Sequence, residues 1–543
     1  MKHTYYLLLI VVIAIINPLI AQNLPSSFDL RNNNNVNYVT SVKSQQGGTC
    51  WTHGAMSAME GNLFMTGAWL AAGDTGEPNL AEYHLDWWNG FNDHNNDDAI
   101  PPAGSGLTVH FGGDYRVTAA YVTRAEGAVR DIDGQLYNTP PLRFDSSYHI
   151  YYPRHIEWFT AGISLERIDT IKKMIMNHGV LGTAMCVGGP YMVGDSMHYQ
   201  PINDPSDPNH AISIIGWDDS IVTQAPLPGA WLCKNSWGSG WGLNGFFWIS
   251  YYDKVCGHHD EMGTVLFRDV ELFENDNVYY HDYHGWRDTD LNAQAVFNKF
   301  ISNGTEVLKA VSFYTTTNNV NYEVIVYDDF INNHLSDTLS VVTGHFDYSG
   351  FHTVDINTQV SLSIGEDFYI YLKVSQGGYA FDRTSSVPVL LGADYRTTVV
   401  SAANLDESYF YTGTGWNDFY QVDTTANYCI KAITDFDITT SNINGSDIHS
   451  NNYSFFNYPN PFSNTTTLKF ELSKSALVEV TILDVMGKEV KKIFNQKVQE
   501  GRYSLKWNAD NYQNQKVAPG IYFSTMRING RLVDIGRMVY LGN

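Results

Sequence analysis

The sequence contains few basic residues, and this shortage excludes some classes of protein. It has 33 Lys and Arg against 57 Asp and Glu in 543 residues, which gives a formal net charge of −24. Because phosphate groups are bound mainly by Lys and Arg, this balance argues against nucleic-acid binding. It also disfavours adhesion to anionic lipid. We expect a soluble, exported protein whose copies repel one another.

Cysteine is also scarce. The chain has five cysteines, scattered and odd in number, at Cys50, Cys186, Cys233, Cys256 and Cys429. This is no dense disulfide framework, and one thiol must stay unpaired if the rest pair. No CxxC motif or His-rich tract indicates a zinc site. We therefore predict neither a metal nor a cofactor.

Long apolar runs are missing beyond the first residues. Lys2 and His3 precede an apolar run from Tyr5 to Ile16, and Ala21 follows as a small residue at a cleavage point. This layout predicts a secretory signal peptide over residues 1–21. The alternative is a permanent membrane anchor, but a span needs about 20 apolar residues. The chain is thus expected to be secreted or attached to the cell surface.

The length of the chain indicates three or four domains. Residues 22–268 mix helical and strand-like patterns. Residues 270–437 and 455–543 instead contain short β-rich runs between Asn, Asp, Gly and Ser turns, which predicts β-sandwiches. Residues 438–454 are polar and read as a linker. The expected fold class is multidomain, with an α+β domain followed by two all-β sandwich domains.

Cys50 is the candidate nucleophile. It ends the Gly-rich stretch Gln45-Gln-Gly-Gly-Thr-Cys, and the apolar residues after it recur at helical spacing, as Trp51, Ala55, Ala58, Met59 and Leu63. The thiol therefore lies at a helix N-terminus, where unpaired N–H groups and the helix dipole favour thiolate. Thiolate is the form that attacks carbonyl carbon.

His210 and Asn235 are the candidate partners of this thiol. His210 opens an apolar run of strand length, and Asn235 leaves a second strand into a Gly-rich turn that contains Trp237. The Asn235 amide can accept the imidazole N–H and fix its tautomer, while an indole shields that bond from water. His53 is nearer to Cys50 in sequence, one helical turn further on. Its side chain should point along the helix, away from the open side of the thiol, so we predict a packing role for His53.

Three segments together resemble the papain family of cysteine peptidases. They are Gly-Gly-Thr-Cys50-Trp, Asn-His210-Ala, and Asn235-Ser-Trp-Gly-Ser-Gly-Trp-Gly242, and the stretch Leu24–Arg31 is similar to that family's mature N-terminus. The resemblance spans most of residues 24–255. It implies a papain-like α+β catalytic domain and an endopeptidase that cleaves through a thiolate–imidazolium pair and a thioester acyl-enzyme, with proteins or peptides as substrates.

The same resemblance implies further site residues. Gln45 matches the Gln that donates to the oxyanion, although the loop is one residue short, which leaves Gln46 open. Gly112 and Gly113 match a Gly-Gly segment whose backbone pairs with extended substrate, since only Gly allows so close an approach. Trp237 is the third residue assigned to substrate binding.

Two departures from the family pattern stand out. The stretch from Asn89 to Gly106 reads as an insertion in which Asp93, Asn95 and Asp97 have calcium-loop spacing, but the Gly that such a loop needs is absent. We therefore expect a solvated acidic loop there. Nothing like an inhibitory pro-segment fits between Ala21 and Leu24, so latency is expected to come from elsewhere.

The two later domains carry resemblances of their own. Residues 270–437 resemble the lectin-like β-sandwich that follows papain-type domains in some bacterial exported proteins. This leaves open whether the domain binds glycan or is a structural spacer. Three short tail motifs resemble the C-terminal sorting domain of the type IX secretion system, namely Tyr458-Pro-Asn-Pro-Phe462, Asp484-Val-Met-Gly-Lys488 and Pro519-Gly-Ile-Tyr522. That resemblance implies the type IX machinery as a partner, and export across the outer membrane of a Gram-negative bacterium.

Two other function classes remain. A catalytically silent, papain-like and lectin-like binding protein would share the same fold, although Cys50, His210, Asn235 and a Gln are all present. An acyl transferase of the transglutaminase type also uses Cys and His, but the Asn-Ser-Trp-Gly-Ser-Gly-Trp-Gly run argues against it.

Overall fold

The structure is a computed structural model that describes residues 24–99, 105–145, 147–437, 455–472, 475–484, 488–528 and 531–542. The predicted signal peptide and the predicted linker at 438–454 lie outside the described residues. Within the described ranges, none of the helices is both long and apolar enough to cross a bilayer.

The first domain is built around one long helix, α1, at Cys50–Thr66. This helix is buried from its first residue to Leu63, and it ends at Gly67, whose φ of 75° suits a left-handed cap. The other helices are α2 (Ala68–Ala71), α3 (Glu82–Trp88), α4 (Tyr115–Thr123), α5 (Asp131–Gly134) and α6 (Ile168–His178).

A twisted sheet completes this domain. Its strands run in the order β2-β9-β3-β6-β7-β8-β5-β4, with β1 paired to β6, and α1 packs against β6 and β9. The bounds are β1 (Ser27–Asp29), β2 (Tyr151–Phe159), β3 (Leu181–Met185), β4 (Met192–Val193), β5 (Met197–His198), β6 (His210–Asp218), β7 (Ala230–Lys234), β8 (Phe246–Ser250) and β9 (Thr264–Leu272).

The second domain is a β-sandwich. One layer contains the strands β10-β24-β13-β16, and the other is a six-stranded sheet in the order β15-β14-β17-β12-β21-β22. Alternate residues of β14 point inward, so Val324 and Val326 are fully buried while their neighbours are not. The strands are β10 (Asn277–Tyr279), β11 (Asp288–Asp290), β12 (Ala295–Ile301), β13 (Glu306–Thr315), β14 (Val320–Ile331), β15 (His334–Phe346), β16 (Gly350–Leu362), β17 (Asp367–Val374), β18 (Tyr379–Asp382), β19 (Ser385–Pro388), β20 (Arg396–Val399), β21 (Ser408–Tyr411), β22 (Trp416–Asp418), β23 (Asn427–Tyr428) and β24 (Ile430–Phe436).

The two domains share one continuous sheet. Strand β16 of the sandwich pairs antiparallel with β2 of the first domain, with Gly350 opposite Glu157 and His352 opposite His155. Gly350 has a φ of 151°, and a Cβ there would lie 2.0 Å from the Ile156 carbonyl oxygen, so only Gly fits this junction. Strand β9 also runs through the predicted domain boundary at 268–270.

The last unit is a smaller sandwich of a three-stranded and a four-stranded sheet. Its core is formed by apolar side chains from both sheets, including Leu468, Val480 and Trp507. The prediction of an α+β domain followed by two all-β sandwiches is therefore confirmed. The strands are β25 (Phe455–Tyr458), β26 (Thr466–Leu472), β27 (Ala476–Asp484), β28 (Glu489–Val498), β29 (Gly501–Trp507), β30 (Gly520–Ile528) and β31 (Arg531–Tyr540).

Candidate active site

Cys50 is the first residue of α1 and is only 3% exposed. Its sulfur accepts hydrogen bonds from the backbone N–H groups of Trp51 and Ala211, and these contacts favour the thiolate. Burial acts more strongly in the other direction and raises the pKa of Cys50 to about 11. The helix start thus stabilises the thiolate as the sequence predicts, but desolvation outweighs it in this closed site.

His210 and Asn235 meet as the sequence predicts. Nε2 of His210 lies 2.7 Å from Oδ1 of Asn235, and both residues are 3% exposed. The Ser236 N–H also donates to this oxygen at 2.8 Å, which identifies it as the carbonyl end of the amide. His210 must therefore donate from Nε2, which leaves Nδ1 as the nitrogen that can take a proton.

The environment of this imidazole is apolar. Trp237 stacks on the His210 ring with centroids 4.5 Å apart and 28° between planes, and the Trp237 residue is 37% exposed. Burial lowers the pKa of His210 to about 4, and the hydrogen bond to Asn235 opposes that shift. Trp237 therefore covers the hydrogen-bonded ring from solvent.

Gln45, rather than Gln46, is attached to this constellation. The Gln45 N–H donates to the Ser236 carbonyl at 2.8 Å, and the Ser236 hydroxyl donates to Gln45 Oε1 at 2.7 Å. Its amide nitrogen donates one hydrogen to the Gly47 carbonyl at 3.0 Å, so a second hydrogen is left for another acceptor. Gln46 is exposed and bonds through its backbone, with its N–H donating to the Tyr83 hydroxyl and its carbonyl accepting from the Thr49 hydroxyl.

The structure places Gly112 and Gly113 close to Cys50 but not at the solvent-exposed surface. Gly48, two residues before Cys50, donates to the His110 carbonyl at 2.7 Å, and Gly113 packs on the indole of Trp51. Both glycines are buried. Their outer edge is covered by the second domain, because Leu390 forms a parallel bridge with Gly113.

The sequence of the chain matches three protein-family models. The sequence model of the papain family cysteine proteases matches residues 24–73 and 152–266. The chain carries a papain-family cysteine peptidase domain. A lectin-like domain model matches residues 278–434, and a FlgD Ig-like domain model matches residues 459–529.

Curated relatives match the papain-family domain. Pro-cathepsin H from Bos taurus is 26% identical over 241 residues, which cover 43% of this chain and 62% of that protein. The probable cysteine protease RD19B from Arabidopsis thaliana is 27% identical over 260 residues, which cover 45% of this chain and 63% of that protein. The chain thus spans less than two thirds of the length of these relatives.

Two solved structures share the fold of the first two domains. A variant of the clostridial cysteine protease Cwp84 after propeptide cleavage has a TM-score of 0.60 at 23% identity and covers 76% of this chain and all of that one. The cysteine protease and lectin-like domains of Cwp84, a surface layer associated protein of Clostridium difficile, give 0.59 at 21% identity and cover 76% of this chain and 89% of that one. The likeness extends over the pair of domains, not the papain-family domain alone.

A buried charged network below Asn235 was missed in the sequence. Lys43 Nζ lies 2.8 Å from Glu60 and 2.6 Å from Glu82, and both carboxylates are almost fully buried. Lys234 donates to Thr40 at 2.9 Å, and burial lowers its pKa to about 8. These groups line a cavity of about 20 Å³ that also contacts Asn235. Glu60, the single carboxylate in α1, was the available signal.

The expectation of a solvated acidic loop in the insertion is wrong. Asn95 and Asn96 are 4% and 1% exposed, and the Asn96 amide donates to the Val400 carbonyl of the lectin-like domain at 2.9 Å. Asp97 is paired with Arg143 at 2.7 Å. Most of the described part of the loop is buried because it packs between the papain-family domain and its neighbour, although Asp93 and Asp97 are themselves exposed.

One cluster among the described residues has donor atoms suited to a metal. Asp98, His284 and Asp382 bring their ligand atoms within 4.8 Å of one another at the boundary of the two domains. Burial raises the pKa of Asp382 to about 7, and that of Asp98 is also raised, partly because the two carboxylates repel each other. No sequence pattern indicates this cluster, since the three residues are far apart in the chain.

All five cysteines are free and buried in the structure. The sequence left their pairing open. His53 is 5% exposed, and its Nδ1 lies 2.8 Å from the Thr49 carbonyl oxygen, which fits the predicted packing role.

Proposed function

We propose that the protein is a secreted cysteine endopeptidase that hydrolyses peptide bonds in protein or peptide substrates. The observation that carries this proposal is the 2.7 Å hydrogen bond from His210 to Asn235, formed beside a thiol at the first turn of α1. It directs the proton-accepting Nδ1 of His210 away from Asn235. No other described cysteine begins a helix.

The reaction follows from these positions. His210 takes the thiol proton, and the Cys50 sulfur forms a bond to the substrate carbonyl carbon while the carbonyl electrons move to oxygen. The C–N bond then breaks, His210 gives its proton to the leaving amine, and a thioester remains. Water, deprotonated by His210, attacks the thioester and releases the acid and the thiol. The reactive form is the thiolate–imidazolium pair that the first proton transfer creates.

Gln45 and Trp237 support these steps. The remaining amide hydrogen of Gln45 and the backbone N–H of Cys50 stabilise the oxyanion, and such a donor is typically worth about 10²–10³ in kcat. Trp237 keeps water from the His210–Asn235 hydrogen bond with one face and offers its exposed edge to substrate.

The test compares two cysteines. Cys50→Ala is expected to abolish both the release of new amino termini from casein and covalent labelling by an epoxysuccinyl inhibitor. Cys186→Ala is the matched control, because Cys186 is equally buried but follows a strand. Labelling and hydrolysis that survive in Cys50→Ala would show that another thiol is the nucleophile.

A second candidate is a catalytically silent binding protein at the cell surface. One observation favours it, namely that the Gly113 edge is already occupied by the lectin-like domain. Alkylation separates the two candidates. A peptidase carries a Cys50 thiol that reacts faster than a free thiol and with a bell-shaped pH dependence, whereas a silent protein does not.

We also propose that residues 455–543 are an export address for the type IX machinery. The strands of this unit form a core of their own, and the FlgD Ig-like match supports a small autonomous domain. Its deletion is expected to leave purified activity unchanged and to trap the protein in the periplasm of a host with that machinery. Normal appearance of the truncated protein in the medium would contradict the proposal. Glycan binding by the lectin-like domain stays a prediction, to be tested on a glycan array.

A further inference from the structure

A hairpin of the lectin-like domain lies across the predicted substrate cleft. Strands β19 and β20 pair only with each other, and the turn between them spans residues 389–395. In this turn the Leu391 N–H donates to the Gly113 carbonyl at 3.1 Å, and Leu390 forms the parallel bridge with Gly113. The turn thus uses the backbone edge that the papain-family resemblance assigns to substrate.

The two glycines make this approach possible. A Cβ on Gly112 would lie 1.8 Å from the Val389 carbonyl oxygen, and one on Gly113 would lie 2.4 Å from the Trp51 ring. Gly113 is therefore held between the turn and the residue that follows the nucleophile. A second chain cannot pair with the Gly113 carbonyl while the turn is in place, because the Leu391 N–H already donates to it.

The hairpin also reaches the opposite wall. The Asp394 N–H lies 3.3 Å from a carboxylate oxygen of Asp207, three residues before His210. Arg396 forms an ion pair with Glu261 at 3.0 Å, and Gly392 lies over the ring of His259. Contacts on both the Cys50 side and the His210 side mean that the hairpin bridges the cleft.

Leu391 anchors this arrangement at a conformational cost. Its side chain is fully buried in the cluster that includes Cys50 and Trp51. Its φ is 47°, a left-handed conformation that is unfavourable for a branched side chain. Such strain persists only where packing holds it, so loss of the Leu391 anchor should release the turn.

We propose that the 385–399 hairpin is a built-in competitor for the Gly113 edge, which slows the peptidase toward extended substrates until the hairpin moves away. The proposal rests on the proposed function of the same site. It concerns access along the cleft and not the chemistry at Cys50. Small reagents should therefore reach the thiol whether or not the hairpin is docked.

The test uses two thiol reagents on the full chain. Iodoacetamide needs no backbone pairing, whereas a peptidyl epoxysuccinate pairs with the cleft edge. Leu391→Ala is expected to accelerate labelling of Cys50 by the peptidyl reagent at least about tenfold, through a larger open population, and to leave the iodoacetamide rate nearly unchanged. Arg396→Gln removes the ion pair with Glu261 and a 3.5 Å contact to the Ser386 carbonyl, both at the surface, and should give a smaller increase in the same direction.

Tyr395→Ala is the matched control, because Tyr395 lies in the same turn but is 76% exposed. It should change neither rate. The readout is the rate of Cys50 labelling by the peptidyl reagent divided by the rate of labelling by iodoacetamide. If Leu391→Ala does not fold, this ratio is measured in Arg396→Gln. Equal ratios in wild type, Arg396→Gln and any folded Leu391→Ala would overturn the hairpin proposal while leaving the peptidase proposal intact. Failure of iodoacetamide to alkylate Cys50 in every variant would instead overturn the proposed function, and this proposal with it.

Discussion

Replacement of Asn235 by Ala tests the geometry of the site most directly. The variant removes the 2.7 Å acceptor of His210 Nε2 while leaving both ends of the turn in place. The ring then loses the bond that fixes its tautomer, and the stack with Trp237 becomes its main restraint. The effect should fall on catalysis, because the Asn235 side chain makes few contacts that hold the fold.

The size of the effect follows from the charge on the ring. A hydrogen bond to a charged group contributes about 1.5–3 kcal/mol, and the imidazole is charged only after it takes the thiol proton. If this bond strengthens in the transition state, its loss should lower kcat by roughly 10- to 150-fold. The residual rate should remain well above that of Cys50→Ala, which lacks the nucleophile.

The pH profile provides a second readout. The bond to Asn235 raises the pKa of His210 against the effect of burial. Without that bond the pKa falls further, so the imidazolium loses its proton at lower pH. The basic limb of the pH–rate profile should therefore move to lower pH in Asn235→Ala.

The assay measures the rate of hydrolysis of a short acyl ester as a function of pH. Such an ester does not need to pair with the Gly113 edge. Asn209→Ala is the matched control, since Asn209 precedes His210 but its amide bonds to the backbone of Val187. It should keep the basic limb in place. An Asn235→Ala enzyme with the wild-type rate and profile would remove Asn235 from the mechanism, and an equal loss in Asn209→Ala would reduce its role to local packing.

Three further predictions follow from the structure. Trp237→Ala should lower kcat by roughly 2- to 10-fold, as the loss of an aromatic stack would, and Trp237→Phe should restore most of it; equal rates for Ala and Phe would contradict a stacking role. Glu306 is buried, and burial raises its pKa to about 7 in the folded protein. Between the ordinary pKa of Glu and this value, the folded state keeps a proton on Glu306 that the unfolded state has released. Stability measured by urea unfolding should then fall as pH rises from about 4.5 to 7, by about 3 kcal/mol from this group, and Glu306→Gln should flatten that slope; an unchanged slope would refute the assignment. Gly350→Ala places a Cβ 2.0 Å from the Ile156 carbonyl oxygen and should destabilise the domain junction by about 1–3 kcal/mol, whereas Gly240→Ala, with open space around it, should not.

The candidate catalytic residues were accessible to sequence analysis because each of them has a local signature. A Gly-rich loop before a helical pattern located Cys50, and an apolar run after His210 gave its strand. The choice between Gln45 and Gln46 needed coordinates, since it depends on which side chain bonds to Ser236. The two pKa directions also needed the structure, because they follow from burial rather than from helix position.

The hairpin contacts lay beyond sequence reasoning. Gly113 and Leu391 are far apart in the chain, and nothing in the composition around Leu391 marks a turn that docks on another domain. The same limit explains the error over the insertion around Asp97. Its Asn and Asp content is typical of a solvated loop, but the surface that buries it comes from the lectin-like domain.

The shared sheet has a consequence for anyone who divides this chain. A fragment that stops at the predicted boundary near 268 would cut β9 within its ladder and leave β2 with an unpaired edge where β16 had been. Exposed edge strands pair readily with other chains. The isolated papain-family domain should therefore self-associate through Tyr151–Phe159, and a fragment that ends after β24 should remain monodisperse.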